Sequence, residues 1–399
     1  MRDTQVIALL NLLLLALALP AGLACAYLLA CTMLSARARP PQRSSRRLRF
    51  DVFVPAHDEE AVIARTVENL RRLDWPADRF RVIVIADNCG DATSSIATQA
   101  GAKVFERTNP ELRGKGYALS FAFERSAAEG WADAVVVIDA DAEASANLLE
   151  AFAARIERGA CAVQAHYGVL NPFASWRTRL ITIAKAAFHI VRSRAREKVG
   201  VSCGIRGNGW CVTHALLAQV PYRAFSLTED LEYGIDLGLA GFRVQYADEA
   251  HSDADMVSGE QIARKQRQRW EHGRFALVRA KSMTLLRTAY RRRSAVCFDL
   301  ALDLLVLPLS YVTLNVVALI ALAALSAWWF PAMRVWLWIG LGCAASLSLY
   351  VLRGWRLSGT GAQGLLDLAR APGFLLWKIL LMMRRRTSGE WVRTDREKP

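Results

Sequence analysis

The chain has 399 residues, 53% of them hydrophobic, and a positive mean hydropathy of +0.17, which is more apolar than a soluble enzyme of this size requires. Its formal charge of +14 fits the basic flanks of membrane segments better than nucleic acid, because no nucleic-acid-binding motif accompanies it. Its eight cysteines contain no CxxC pair, which speaks against a zinc site or a disulfide framework and for a reducing compartment.

Residues 6–34 are an almost unbroken run of Leu and Ala, long enough to cross a bilayer and too long for a signal-peptide core. Arg2 alone precedes the run, whereas Arg37, Arg39, Arg43, Arg46, Arg47 and Arg49 follow it. That bias places the next domain in the cytoplasm.

From residue 50 the pattern alternates. Residues 50–55 read as a short apolar strand, 61–73 as a helix and 81–86 as a second strand, with Asp91 able to cap the helix that follows. Helical spacing over 117–128 leads to a further strand at 135–138. This rhythm predicts an α/β domain with a mostly parallel sheet, whose ligand binds at the carboxyl ends of the strands. Those ends carry His57-Asp58-Glu59-Glu60, Asp87-Asn88-Cys89-Gly90-Asp91 and Asp139-Ala140-Asp141. One carboxylate there is usually a cap or turn former, but three in succession indicate a site.

Asp139 and Asp141, two apart, are expected to point to one side of an extended backbone. Their hard oxygen atoms suit Mg or Mn, which keep waters and bridge substrate phosphates. The loop Arg113-Gly114-Lys115-Gly116-Tyr117 reads equally as a phosphate or base contact and as a basic surface turn. Residues 204–210 read either as a glycine-rich approach for an acceptor sugar, with Trp210 as platform, or as a tight turn. Asp230 in Thr228-Glu229-Asp230 is a carboxylate suited to general-base work. Gln266, Arg269 and Trp270 share one helical face, where Arg269 suits a diphosphate and Trp270 a sugar ring; the alternative is a basic helix lying at a membrane surface.

Taken in order, Pro55-Ala56-His57-Asp58-Glu59, Asp87, Lys115-Gly116, Asp139-Ala140-Asp141, Thr228-Glu229-Asp230 and Gln266-Arg267-Gln268-Arg269-Trp270 make residues 50–280 resemble the membrane-bound family 2 glycosyltransferases of GT-A fold, the group containing cellulose, chitin and hyaluronan synthases. The resemblance implies a Rossmann-like GT-A domain with a mixed, mostly parallel sheet. It implies a nucleotide-sugar donor, UDP-linked, bound by Pro55, Ala56, Glu59, Asp87, Lys115 and Asp139, with Asp87 and Lys115 at the base. The metal, Mg or Mn, would sit on Asp139 and Asp141, with His166 as a third ligand, although His166 by itself reads as a structural histidine. Asp230 would be the catalytic base, and Glu229, Gln266, Arg267, Arg269 and Trp270 would meet the diphosphate and the acceptor. The chain departs from the common pattern at His57-Asp58, where Tyr-Asn is usual, and at Asn88, where a second Asp is usual.

The reaction so implied inverts the anomeric centre and forms a β-glycosidic bond on a growing polysaccharide or lipid-linked glycan. A non-processive transferase adding one sugar to a lipid is the alternative, and an inactive scaffold or nucleotide-binding subunit is the alternative of another class. Expected partners are the donor, a glycan or lipid-linked acceptor, membrane lipid and polysaccharide-export subunits, not nucleic acid.

Toward the C-terminus, residues 298–328 and 335–352 read as two more spans joined through Trp329-Phe330-Pro331. Residues 364–383 mix apolar side chains with Asp367, Arg370 and Lys378 and read as an interfacial helix, followed by a basic tail from Arg384. The expected organisation is a span in 1–36, a basic linker in 37–49, a GT-A domain in 50–285, and two spans, an interfacial helix and a cytoplasmic tail in 286–399. Such a chain would be a multi-pass protein of the cell's inner or plasma membrane with its catalytic domain in the cytoplasm.

Overall fold

The structure is a computed structural model that describes residues 2–256 and 260–370; side chains are described from residue 4 onward, except 260–267 and 269. The described residues fall into two compact units, one of 37–178 and 196–301, the other of 2–36, 179–195 and 302–370.

The first unit is built on an eight-stranded sheet: β1 (Phe50–Ala56), β2 (Phe80–Asp87), β3 (Lys103–Arg107), β4 (Ala134–Val137), β5 (Ala142–Ala144), β6 (Ala162–Val169), β7 (Trp210–Thr213) and β8 (Val244–Ala254), in the order β3-β2-β1-β4-β7-β6-β8-β5. β3, β2, β1 and β4 run parallel, β7 pairs antiparallel with β4 and β6, and β8 pairs parallel with β6 and antiparallel with β5. Helices Ile63–Arg71 and Lys115–Glu129 lie close to the expected ones. Continuous apolar runs in the parallel strands reflect burial on both faces: Val52, Phe53, Val54, Ile83, Val84, Ile85, Val135, Val136 and Val137 are all fully enclosed. The short strands β3, β5 and β7 were not expected, and neither was the eight-residue β6, whose polar residues Gln164, His166 and Tyr167 interrupt its apolar run.

Two expectations are corrected here. Residues Asp139 to Asp141 are not extended: β4 stops at Val137, and the Ala142 N–H donates to the Asp139 carbonyl at 3.1 Å, closing a turn. Strand alternation therefore does not set their direction. Trp210 is not a sugar platform but core, 1% exposed, edge-on to Phe123 and stacked on Tyr222. Its place on β7, between β4 and β6, turns the indole into the aromatic cluster. His251 lies inside β8.

The second unit is helical. Helices Arg2–Leu34, Leu309–Trp329 and Arg334–Ser358 pack around Leu28, Val316, Leu347 and Tyr350, with Ala187 and Val191 added from the segment 179–195. Three stretches, Thr4–Leu34, Leu309–Trp329 and Pro331–Ser358, are long and apolar enough to cross a membrane. The expected span over 298–328 is shortened, because helix Ala295–Leu305 ends before Pro308, and Pro308 opens the helix Leu309–Trp329. Proline has no N–H to continue the ladder, so the break falls there. Asp303 is buried against Arg192 at 3.0 Å, which pairs a charge that would be costly alone. Of the expected interfacial segment, helix Gly361–Leu368 is described, with Asp367 held by Arg179 at 2.6 Å; residues beyond 370, including the Arg384 tail, lie outside the described residues.

Candidate active site

The site gathers at the strand ends of the first unit. β4 delivers Asp139 and Asp141 into the turn that leads to β5. The Asp139 N–H donates to the Asn208 side-chain oxygen at 3.0 Å, and the buried Asn208 is itself held by the Ser252 hydroxyl at 3.1 Å. Gln164 on β6 fixes the same loop, its amide donating to the carbonyls of Asn208 at 2.7 Å and Gly209 at 3.1 Å, while its oxygen accepts from the Arg206 N–H at 2.8 Å. The glycine-rich loop is thus the clamp that positions Asp139. Asn208 and Gln164 were missed from the sequence; the only signal for the first was its place between two glycines.

Lys115 begins the helix Lys115–Glu129 and turns inward. Its ammonium donates to Asp139 at 2.5 Å and to the Gly207 carbonyl at 2.8 Å, and lies 3.9 Å from Glu229. The loop reaches this place because Gly116 packs against the Ala224 carbonyl, where an added Cβ would stand 2.3 Å away. Next to it Tyr117 stacks on Phe225, rings 4.4 Å apart and 9° from parallel, so the loop before Thr228 and the Lys115 loop hold each other.

Glu229 and Asp230 open the helix Glu229–Leu239. An Asp230 oxygen lies 3.3 Å from where a Cβ on Gly207 would stand, so the carboxylate faces the carbonyl-bearing residue that Lys115 also touches. Burial raises both carboxyl groups, Glu229 to about 7, and Lys115 pulls against that shift in each case. Lys115 is the mirror image: burial works against its charge, yet Asp139, Glu229 and Asp230 raise its pKa overall. Tyr167 on β6 marks the centre of this field. Burial, followed by Asp139, Asp141, Asp230 and Asp253, holds its hydroxyl well above the usual range.

The helix Glu260–Arg292 carries Gln266, Arg267, Arg269 and Trp270. The side chains of Gln266, Arg267 and Arg269 lie outside the described residues, whereas Trp270 is 41% exposed. This helix crosses Thr228 at Gly273, where a Cβ would stand 2.6 Å from the Thr228 methyl, and Lys281 pairs with Asp236 at 2.7 Å. The basic helix and the helix bearing Asp230 are therefore locked together.

At the ends of β1 and β2, Asp87 is buried against Arg107 at 2.5 Å, and the His57 Nδ1–H donates to the Asp87 carbonyl at 2.7 Å. Pro55 and Ala56 end β1, and the Glu59 N–H donates to the Thr93 hydroxyl at 2.7 Å. Asn88 holds a left-handed backbone, φ 51°, which Asn tolerates, and its side-chain oxygen accepts from the Asn109 N–H at 2.7 Å.

Asp139, Asp141, Asp230 and Asp253 surround Tyr167, with Lys115 on Asp139 and His251 on Asp253, and the hard oxygen donors of Asp139 and Asp141 suit a divalent cation. His166, expected as a third ligand, follows a bulge in β6, with its ring 3.5 Å from the Tyr246 hydroxyl and close to Asp253. Among the described residues the one set of three side chains with ligand atoms all within 4.8 Å of one another is Asp58, Cys89 and Asp91. It closes loops instead: Asp58 accepts from the Gly90 N–H at 2.7 Å and Asp91 from the Thr93 N–H at 3.0 Å, and burial pushes the Cys89 thiol up.

A mixed sheet with acidic turns at the ends of its central strands is the GT-A arrangement. The fold matches that of the mannosyltransferase PcManGT from Pyrobaculum calidifontis, solved in complex with GDP-Man and Mn2+, at a TM-score of 0.52 and 17% identity over 84% of this chain and 97% of that one. Residues 47–273 match the family model described as glycosyltransferase like family 2, and the chain belongs to that family. Residues 47–273 are thus a family 2 glycosyltransferase domain. The chain is 26% identical over 260 residues to the probable glycosyltransferase YdaM of Bacillus subtilis, covering 63% of this chain and 60% of that protein. It is 29% identical over 232 residues to the beta-monoglucosyldiacylglycerol synthase of Synechocystis sp., covering 56% of this chain and 47% of that protein. The matches thus span roughly half to three fifths of those relatives' lengths.

Proposed function

We propose that the protein is an inverting, metal-dependent glycosyltransferase that moves one sugar from a nucleotide-sugar donor, a UDP-sugar, to a lipid acceptor at the cytoplasmic face of a membrane crossed by its three apolar helices. One observation carries this reading: Asp139, Lys115, Gly207 and Asp230 form a connected chain, so that a metal carboxylate, a fixed cation and a candidate base border one space.

In the proposed reaction Asp230 accepts the proton of the acceptor hydroxyl as its oxygen bonds to the anomeric carbon. The bond from that carbon to the diphosphate breaks, and its electron pair leaves with the nucleotide diphosphate. A Mg or Mn ion held by Asp139 and Asp141 would neutralise charge on that leaving group. Lys115 holds Asp139 in place and keeps Asp230 from being protonated more readily still. Pro55, Ala56, Glu59 and Asp87 line the nucleotide end in this reading. Arg267 and Arg269 grip the diphosphate, and Trp270 meets the acceptor with Gln266 and Glu229.

The lipid acceptor is supported by the likeness to the Synechocystis beta-monoglucosyldiacylglycerol synthase together with the three candidate spans. Polymer synthesis, which would call for export subunits, is the second reading and draws on the Gln266 to Trp270 motif. Membranes containing the full chain, incubated with labelled UDP-glucose or UDP-N-acetylglucosamine and Mn, should yield a single-sugar product that partitions with lipid and disappears on chelation. Long labelled polymer would replace the first reading with the second. Transfer that is indifferent to chelator would remove the metal from it.

A further inference from the structure

Helices Leu309–Trp329 and Arg334–Ser358 meet at a tight corner and leave a groove of about 450 Å³ lined by Ala324, Ala327, Trp328, Arg334, Leu337 and Trp338. The lining comes from matching faces. Ala324, Ala327 and Trp328 are spaced three and one apart on the first helix, and Arg334, Leu337 and Trp338 repeat that spacing on the second. The alanines provide the room, while Trp328 and Trp338 are turned out, 84% and 71% exposed. The corner beside the groove is packed: Met333 is buried with Leu319 and Ala323 against Leu14 and Ala18, and the Trp336 indole N–H donates to the Asn11 side chain at 2.8 Å.

Arg334 is the only charge in this lining, it is exposed, and among the described residues no carboxylate pairs with it. Helix stability does not account for it, since a cation in a first turn faces the positive end of the helix dipole. Nor does an aromatic belt, which needs neither a cation nor a cavity. We infer that the groove binds one anionic phospholipid, with its phosphate on Arg334, its acyl chain along Ala324, Ala327 and Leu337, and the two indoles at the headgroup level. The inference rests on the two helices crossing a membrane, not on the sugar chemistry.

Native mass spectrometry of the detergent-purified full chain, titrated with phosphatidylglycerol and phosphatidylcholine of the same acyl chains, tests it. One equivalent of phosphatidylglycerol should bind about fivefold more tightly than phosphatidylcholine. Arg334→Gln should abolish that preference for this equivalent, Arg334→Lys should restore it, and Ala324→Trp should expel the lipid without altering charge. A preference that survives Arg334→Gln, or an equivalent that survives Ala324→Trp, overturns the proposal. Carbonate washing of membranes separates the two failures: a chain that stays in the membrane but shows no such lipid keeps its spans and loses this site.

Discussion

Asp230 sits where burial raises its carboxyl group, while Lys115 and then backbone hydrogen bonds at Leu231 and Asp230 restrain the rise, a balance suited to a general base. Asp230→Asn keeps the shape and removes the proton acceptor, so turnover should fall by about 10²- to 10⁴-fold while UDP affinity, measured by calorimetry, stays unchanged. An unaltered turnover would reassign the base, with Glu229 the next carboxylate along the helix. The sign of the Lys115 effect follows from its charge. A base works when unprotonated, so activity is lost as pH falls through its pKa. Lys115 lowers the pKa of Glu229, which stands at about 7 in its presence, and that of Asp230. Lys115→Met should therefore move the acid limb of the kcat/KM profile to higher pH. A limb that stays in place would mean that Lys115 does not act on the base.

The loops before two helices decide whether these side chains meet. Gly116 lets the helix Lys115–Glu129 start against the Ala224 carbonyl, and an alanine there would place its Cβ 2.3 Å from a backbone oxygen that cannot rotate away. Gly116→Ala should cost about 1–3 kcal/mol in denaturant unfolding, because the Lys115 and Phe225 loops must separate. Asn208 acts on the other side, holding the Asp139 N–H from within a buried hydrogen-bonded loop. Asn208→Ala should weaken Mn2+ binding about 10-fold or more by calorimetry without donor, since it frees the turn that carries the ligand. Undiminished Mn2+ affinity would separate that loop from the metal site.

For the chain as a whole, the helical unit carries a buried charge pair in which Arg192 and Asp303 are each 4% exposed at the side chain. Asp303→Ala should lower stability by about 3–5 kcal/mol, read as a drop in the unfolding midpoint in detergent, because it leaves the buried guanidinium without its counter-charge, with the Tyr350 hydroxyl still bonded to it at 3.0 Å. Replacing both partners by apolar residues of similar volume should recover much of the loss. If the single change is as mild as the double one, water reaches the pair and the helices are packed more loosely there than the structure has them.

Much of this architecture is written locally. The strands β1, β2 and β4 and the helices beside them follow from apolar runs and helical spacing, and the candidate spans follow from long uncharged stretches, because each pattern is decided by residues close in sequence. The acidic pairs were visible as candidates for the same reason. What tertiary structure alone decided is which of them meet, and through what. Lys115 turns to Asp139 because the Gly116 loop packs on Ala224, more than 100 residues away. Asp139 and Asp141 lie in a turn clamped by Asn208, not in the extended backbone their spacing suggested. His166 faces Tyr246 because of a bulge in the β6–β8 pairing, and Trp210 fills the core because β7 lies between β4 and β6. Spacing along a chain fixes which way neighbouring side chains can point, whereas a site is made by the approach of distant loops, and that is settled only when the sheet order and the packing of its connections are in place.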